Sequence, residues 1–140
     1  MNMTITFPEN LKVKTDFKGF SVITDQSIRS GGDGEAPAPF DYFLTSIGAC
    51  AGFYVMRFMK QRKMDTKDVK VLLSTERDHA NKRLAKIRID VELPQEFPEK
   101  YKKAIINSVN LCAVKKHIHE PPAFHTSINI GGRTVAEDIS

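Results

Sequence analysis

The sequence is short of several residue types, and each shortage removes a class of protein. It has only two cysteines, at positions 50 and 112, and no tryptophan. Two cysteines are too few for the disulfide framework of a small secreted domain. The N-terminal stretch MNMTITFPEN has neither the basic segment nor the apolar segment of a secretory signal peptide. We therefore expect a cytoplasmic protein whose thiols are catalytic, redox-active or inert.

No hydrophobic run is long enough to cross a membrane. The longest uncharged stretch covers residues 42–56, between Asp41 and Arg57, whereas a spanning helix needs about 20 apolar residues. Over residues 39–63 apolar side chains fall on every face of a helix, which predicts a long helix buried inside a core. Small residues cluster around Cys50 in the middle of this segment.

Concentrated positive charge and the common phosphate and hydrolase motifs are also missing. The net charge is +4, and Lys and Arg are spread along the chain, so we expect no nucleic-acid partner. A small anionic ligand fits the same charge. The segment Gly31-Gly32-Asp33-Gly34 lacks the Lys-Ser/Thr of a phosphate-binding loop, and no G-x-S-x-G nucleophile elbow occurs.

The pattern of what is present predicts one α+β domain over residues 1–140 with a largely antiparallel sheet. Alternating residues predict strands at 3–7, 11–15, 20–24, 69–77, 84–93 and 124–130. Helices are predicted at 39–63 and 99–109, followed by a short helix from 110–112 that Ser108 or Asn110 caps. Residues 25–38 form a long loop, and Gly131-Gly132 a turn into a tail. A chain of this size has difficulty covering an all-apolar helix, so we expect a homodimer.

The two cysteines are the candidates for chemistry, although each has a plain structural interpretation. Cys50 fits an inert core thiol as well as a reactive one. Cys112 would have a lowered pKa if it lay in the first turn of a short helix near Lys115 and Lys116. Spacing alone does not bring the two together. A zinc site of Cys112 with His117, His119 and His125 matches no standard spacing, so we expect no metal.

Two segments of the sequence resemble the cysteine motifs of the OsmC/Ohr family. APAPFDYFL at 36–44, leading to IGAC at 47–50, is similar to the first motif. NLCAVK at 110–115, followed by Pro121-Pro122 and a final strand, is similar to the second. The order of elements agrees over nearly the whole chain. The resemblance implies an OsmC-like fold, an intertwined homodimer and two sites at the subunit interface.

The same resemblance implies a thiol-dependent peroxidase that reduces organic hydroperoxides. Cys50 would be the peroxidatic thiolate and Cys112 the resolving thiol, and an external dithiol or small thiol would restore both without a cofactor. Apolar walls would favour an organic substrate; the expected substrate-binding residues are Phe40, Phe43, Phe53 and Tyr54.

The sequence departs from the family pattern at several positions. Ala113 follows the second cysteine, where the family usually has proline. Phe40 lies ten residues before Cys50, where the better-studied peroxidases have an activating glutamate, and Asp41 is adjacent. The activating cation would be Arg29 in the long loop or Lys18 in the hairpin turn. These departures leave an alternative open: a non-catalytic protein that holds a small thiol or an anionic ligand in the interface cleft.

Overall fold

The structure is a computed structural model that describes residues 1–139. The chain divides into two compact units, one built from residues 1–49 and 72–89 and the other from residues 50–71 and from residue 90 onward. Among the described residues no helix combines the length and the apolarity that a membrane crossing requires. The expected single domain over residues 1–140 stays a prediction.

The first unit begins with an antiparallel sheet of three strands in the order β1 (Thr4–Thr6), β2 (Val13–Phe17) and β3 (Phe20–Thr24). The turn between β2 and β3 consists of Lys18 and Gly19, both with positive φ (49° and 80°). Two such residues give the turn whose twist matches that of the flanking strands. The predicted hairpin is therefore present. Its first strand, β2, begins and ends two residues later than the predicted range of 11–15.

The central helix, α1, spans Pro39–Gln61. Proline is well suited to a first helical position, since its missing N–H has no intrahelical acceptor there. The helix ends where Lys63 adopts positive φ, and the Met64 amide donates to the Met59 carbonyl at 3.0 Å. That pairing is the usual C-terminal stop of an α-helix. The helix thus ends two residues before the predicted limit.

Only one face of α1 is buried in the single chain. Ala51 and Val55 are at most 2% exposed, whereas Phe53 and Met56 remain 49% and 41% exposed. The sequence predicted burial on every face, and a chain of this size does not supply enough surface for that. Burial of the second face stays tied to the predicted partner subunit.

Two further strands, β4 (Lys70–Asp78) and β5 (Arg83–Glu92), form a two-stranded sheet. Their bounds lie within one residue of the prediction. In β5, Leu84, Ile87 and Ile89 are half-buried, and the charged residues between them are exposed. This is the alternation of an antiparallel sheet with one solvated face.

The C-terminal half contains a 3-10 turn (Glu99–Tyr101), α2 (Lys102–Val109), α3 (Ala113–His119), β6 (His125–Ile130) and β7 (Arg133–Ile139). The predicted tail after residue 132 is wrong, because β7 pairs antiparallel with β6. Gly131 and Gly132 both have positive φ (58° and 79°), so the chain reverses within two residues and forms a hairpin. Within residues 1–139 the strands form three separate antiparallel sheets, not one.

The core of the second unit is built between the latter half of α1 and α2. Ile105 and Val109 of α2 are buried. The hydroxyl of Ser108 donates to the Tyr54 carbonyl at 3.3 Å, and the Phe58 and Tyr101 rings meet edge to face at 6.0 Å. These contacts fix the end of α2, from which the chain enters the turn that holds Cys112.

Candidate active site

Cys50 lies in the middle of α1 and is half-buried. Phe53 and Tyr54 follow it by three and four residues, and residues with that spacing share one face of a helix. Their rings are in edge contact, with centroids 5.4 Å apart. Phe53 is 49% exposed. Cys50 therefore shares a face of α1 with an aromatic pair, and that face is partly exposed in the single chain.

Cys112 occupies the N-cap of α3, in the turn that follows α2. Its φ and ψ of −53° and 116° are not helical, while its carbonyl already accepts the first helical hydrogen bond from the Lys116 amide at 3.1 Å. The sequence predicted Ser108 or Asn110 as this cap, and that prediction is wrong. Cys112 is only 1% exposed.

Cys50 and Cys112 are close enough for each thiol to shift the pKa of the other, although 62 positions separate the residues. The Cys112 thiol and the amides of Val114 and Ala113 act as donors that lower the pKa of the Cys50 thiol. Burial raises the pKa of the Cys50 thiol, but the three donors outweigh burial, and the pKa falls below its ordinary value. Donors stabilise the thiolate because it carries the negative charge that they face.

The pKa of Cys112 moves in the opposite direction. Burial raises it first, and the hydrogen bond to Cys50 raises it further, because ionised Cys112 would lose its proton from that bond and face a second negative charge. The Cys112 side chain makes no regular capping hydrogen bond, and the amides of Lys115 and Val114 only partly offset the rise. Cys50 therefore ionises first, while Cys112 stays neutral as the donor.

This arrangement is a polarised dithiol. A thiolate is the nucleophilic form of cysteine, and a neutral thiol in contact with it is placed to form a disulfide after the first sulfur is oxidised. Both cysteines are free in the structure. The pair can therefore give two electrons to an oxidant by forming a disulfide, and an external reductant can return them.

The sequence between residues 32 and 127, which holds both cysteines, matches the family model described as OsmC-like protein. The chain belongs to the OsmC-like protein family. The resemblance seen in the two cysteine motifs is thereby confirmed. No functionally curated protein matches the chain.

Solved structures share the fold of this OsmC-like protein at low sequence identity. A provisionally named osmotic stress induced and detoxification response protein from Psychrobacter arcticus has a TM-score of 0.71 at 22% identity, covering 85% of this chain and 88% of its own. A hypothetical protein from Aquifex aeolicus has a TM-score of 0.61 at 18% identity, with 86% and 87% covered. A provisionally named organic hydroperoxide resistance protein from Vibrio cholerae, with captopril bound in one active site, has a TM-score of 0.59 at 15% identity, with 86% of each chain covered.

The other predicted site residues of the OsmC-like chain lie in its first unit. Arg29 is exposed, in the 3-10 turn Ile28–Ser30. The Asp41 carboxylate accepts a hydrogen bond from the Ala38 amide at 2.9 Å, so it closes the first turn of α1 in the manner of a capping box. The Phe40 and Phe43 rings pair with centroids 5.3 Å apart. Their roles in a site stay predictions.

Sequence reasoning missed Asp25, the buried charged residue of the long loop. It is 1% exposed, and its carboxylate accepts hydrogen bonds from the amides of Gln26, Asp33 and Glu35 at 2.7, 3.2 and 3.1 Å. Burial raises its pKa, but these three bonds and the Lys12 charge outweigh burial and lower it. A carboxylate at the start of a glycine-rich loop was the signal for this role.

Lys12 holds the same loop from the strand side. Its ammonium group lies 2.8 Å from Glu9, 3.2 Å from Asp33 and 2.7 Å from Glu35. Hydrogen bonds to Glu35 and then Glu9 are the largest causes that raise its pKa. The loop that leads into α1 is therefore ordered from inside by a carboxylate and from outside by a lysine.

The zinc alternative finds no support in the geometry. Over residues 1–139 no group of three His, Cys, Asp or Glu side chains is placed to hold a metal ion. His117 instead turns its Nδ1 to the Ala113 carbonyl at 2.8 Å. Because that oxygen only accepts, Nδ1 carries the proton in this contact.

Proposed function

We propose that this OsmC-like protein is a thiol-dependent peroxidase that reduces organic hydroperoxides through Cys50 and Cys112, in defence against oxidative stress. The observation that carries the proposal is the proximity of Cys50 to Cys112 and to the start of α3. These neighbours lower the pKa of the Cys50 thiol, whereas burial and Cys50 raise the pKa of Cys112. A peroxidatic cysteine needs the more acidic thiol, and a resolving cysteine needs to lie beside it.

The proposed reaction has three steps. The Cys50 thiolate attacks the terminal oxygen of the hydroperoxide, the O–O bond breaks, and the alkoxide takes a proton and leaves as an alcohol. Cys112 then attacks the Cys50 sulfenic acid, and its proton leaves with the hydroxyl as water while the disulfide forms. An external dithiol or small thiol finally reduces the disulfide and is itself oxidised. No metal or cofactor takes part.

The surroundings of Cys50 support an organic substrate. Phe53 and Tyr54 lie on its side of α1, and apolar rings bind the carbon part of an organic hydroperoxide, which hydrogen peroxide lacks. The name of the Vibrio cholerae neighbour refers to organic hydroperoxide resistance. Phe40 and Phe43 are included in the proposed substrate-binding set.

A homodimer is part of the proposal. The uncovered face of α1 carries Phe43, Phe53 and Met56, which are 38%, 49% and 41% exposed, and a stable soluble chain rarely leaves a large apolar patch uncovered. A second copy of the chain would cover most of this face and leave a cleft beside Cys50 through which substrate and reductant enter. We expect twice the monomer mass in light scattering, and Met56→Glu should yield monomers. A monomeric wild type would refute this part.

We place the protein in the cytoplasm, where two free thiols stay reduced.

The test of the function is turnover of cumene hydroperoxide with dithiothreitol as reductant. Wild type should consume the peroxide continuously, and Cys50→Ser should consume none above background. With dithiothreitol left out, Cys112→Ser should consume about one equivalent of peroxide and retain Cys50 as a sulfenic acid, whereas wild type forms the Cys50–Cys112 disulfide. Equal consumption by wild type and Cys50→Ser would rule out the peroxidase.

A second candidate function is a non-catalytic protein that holds a small thiol or an anionic ligand at the same cysteines. The engagement of the Asp41 carboxylate at the start of α1 favours it, because that group is then committed to a structural contact. Intact mass of the protein as purified separates the two functions. A thiol adduct on Cys50 or Cys112, with no peroxide turnover, would favour binding.

A further inference from the structure

The two sulfurs of the pair are unequally accessible. Cys112 is 1% exposed and caps α3 in the turn that follows α2. Cys50 is half-buried, and its helical neighbour Phe53 is 49% exposed. In the single chain, solvent therefore reaches Cys50 and not Cys112.

Thiol–disulfide exchange makes strict demands on access. The attacking thiolate, the sulfur that it attacks and the sulfur that leaves lie nearly on one line, so the attacker enters on the side opposite the leaving sulfur. Attack on Cys112 would require entry from the side away from Cys50. With 1% of its surface exposed, Cys112 offers no such side without local opening of the α2–α3 turn.

We propose that the external thiol that reduces the Cys50–Cys112 disulfide attacks the Cys50 sulfur and expels Cys112. The place of this step in a cycle rests on the proposed peroxidase function. The new S–S bond joins the external thiol to Cys50, the Cys50–Cys112 bond breaks, and Cys112 leaves as a thiolate that takes a proton. A second external thiolate then attacks the sulfur of the bound thiol and releases Cys50 as its thiolate.

Leaving-group chemistry alone favours the opposite direction. Exchange is faster when the departing thiol has a low pKa, and the thiol with the lowered pKa is Cys50, not Cys112. Solvent access therefore favours attack on Cys50, whereas the pKa of the leaving thiol favours attack on Cys112. Access decides, because local opening has to precede any attack on Cys112, whereas the poorer leaving group only slows the attack on Cys50.

Mapping of the mixed disulfide tests the direction. The wild-type disulfide is formed with diamide, which oxidises a dithiol without any hydroperoxide, so the result does not depend on peroxidase activity. Excess N-acetylcysteine is added briefly, the mixture is quenched in acid, and free thiols are capped with N-ethylmaleimide. We expect N-acetylcysteine on the Cys50 peptide and N-ethylmaleimide on the Cys112 peptide. The reverse distribution, or failure of diamide to join the two cysteines, would overturn the proposal.

Single-cysteine variants provide the matched control. Cys112→Ser leaves only Cys50, and Cys50→Ser leaves only Cys112. In folded protein, 4,4′-dithiodipyridine should modify Cys50 in Cys112→Ser at least about 100-fold faster than it modifies Cys112 in Cys50→Ser. The reason is that Cys112 becomes reachable only after local opening. In urea the two variants should react at similar rates. Equal rates in the folded state would contradict the proposal even if the protein has no peroxidase activity.

Discussion

The amide of Ala113 offers a direct test of how Cys50 is activated. This amide is the smallest of the three donor influences that lower the pKa of the Cys50 thiol. It belongs to the first residue of α3, where no intrahelical carbonyl is available to accept it. Ala113→Pro removes the N–H and little else. Proline is favoured at a first helical position, and Cys112 before it, with φ and ψ of −53° and 116°, lies outside the α region that a following proline disfavours.

The expected effect follows from the strength of one hydrogen bond to a charged sulfur. Such bonds contribute about 1.5–3 kcal/mol. The Val114 amide and the Cys112 thiol remain as donors, so we take the lower end, and about 1.4 kcal/mol is a factor of ten in an equilibrium. Loss of the donor raises the pKa of Cys50. At a pH below the wild-type pKa of Cys50, Ala113→Pro should therefore react with iodoacetamide about tenfold more slowly than wild type, because iodoacetamide alkylates only the thiolate.

The pH dependence distinguishes loss of a donor from general damage. Above the pKa of both proteins the thiol is fully ionised, so the two alkylation rates should converge. Ala113→Gly is the matched control, because it keeps the amide while it changes the same side chain, and it should alkylate like wild type. Equal rates for Ala113→Pro and wild type at low pH would refute the assignment of this amide as a donor. A deficit that persists at high pH would show a distorted site instead.

Three predictions concern stability, and thermal or urea unfolding measures each of them. A Cβ on Gly32 would lie 2.1 Å from the Gln26 carbonyl oxygen, so Gly32→Ala should destabilise the fold by about 1–3 kcal/mol. A Cβ on Gly52 meets nothing within 4 Å, so Gly52→Ala should stabilise the helix by about 0.5–1 kcal/mol. A loss with Gly52→Ala would instead show that another chain packs there. Because the pKa of Asp25 is lowered, its contribution is complete above the ordinary carboxyl pKa of about 4 and is lost as pH falls through the lowered value. Asp25→Asn should flatten the acid dependence of the melting temperature, and an unchanged slope would contradict the role. Ile105 is 2% exposed, so Ile105→Ala should cost about 2–5 kcal/mol, and a loss below 1 kcal/mol would show a loosely packed core.

The helix α1, the hairpins β2–β3 and β4–β5 and the family could be predicted because their sequence signals are local. An uncharged run flanked by Pro39 and by basic residues sets α1 to within two residues of its observed end. Alternation sets β4 and β5 to within one residue. These patterns depend on neighbours along the chain, and hydrophobic periodicity records such neighbours directly.

The missed elements depend on backbone conformation that composition does not record. Residues 133–139 lack a clean alternation, and they form β7 because two glycines with positive φ return the chain onto β6. Asp25 is a charged residue in a polar, glycine-rich segment, and such residues are usually exposed. It is buried because three amides of the same loop turn inward to its carboxylate, and such amides belong to every residue type.

The same reasoning explains why the backbone donors to the thiolate were not predicted. Sequence comparison looks for a side chain, so the missing glutamate and the uncertain cation left Cys50 without an activator. The structure supplies backbone donors at the start of α3, and their position depends on the cap being Cys112 instead of Asn110. Ala113 stands where the family usually has proline, and proline has no N–H to donate. The substitution that looked like a departure from the motif therefore adds a backbone donor that helps to lower the pKa of the Cys50 thiol.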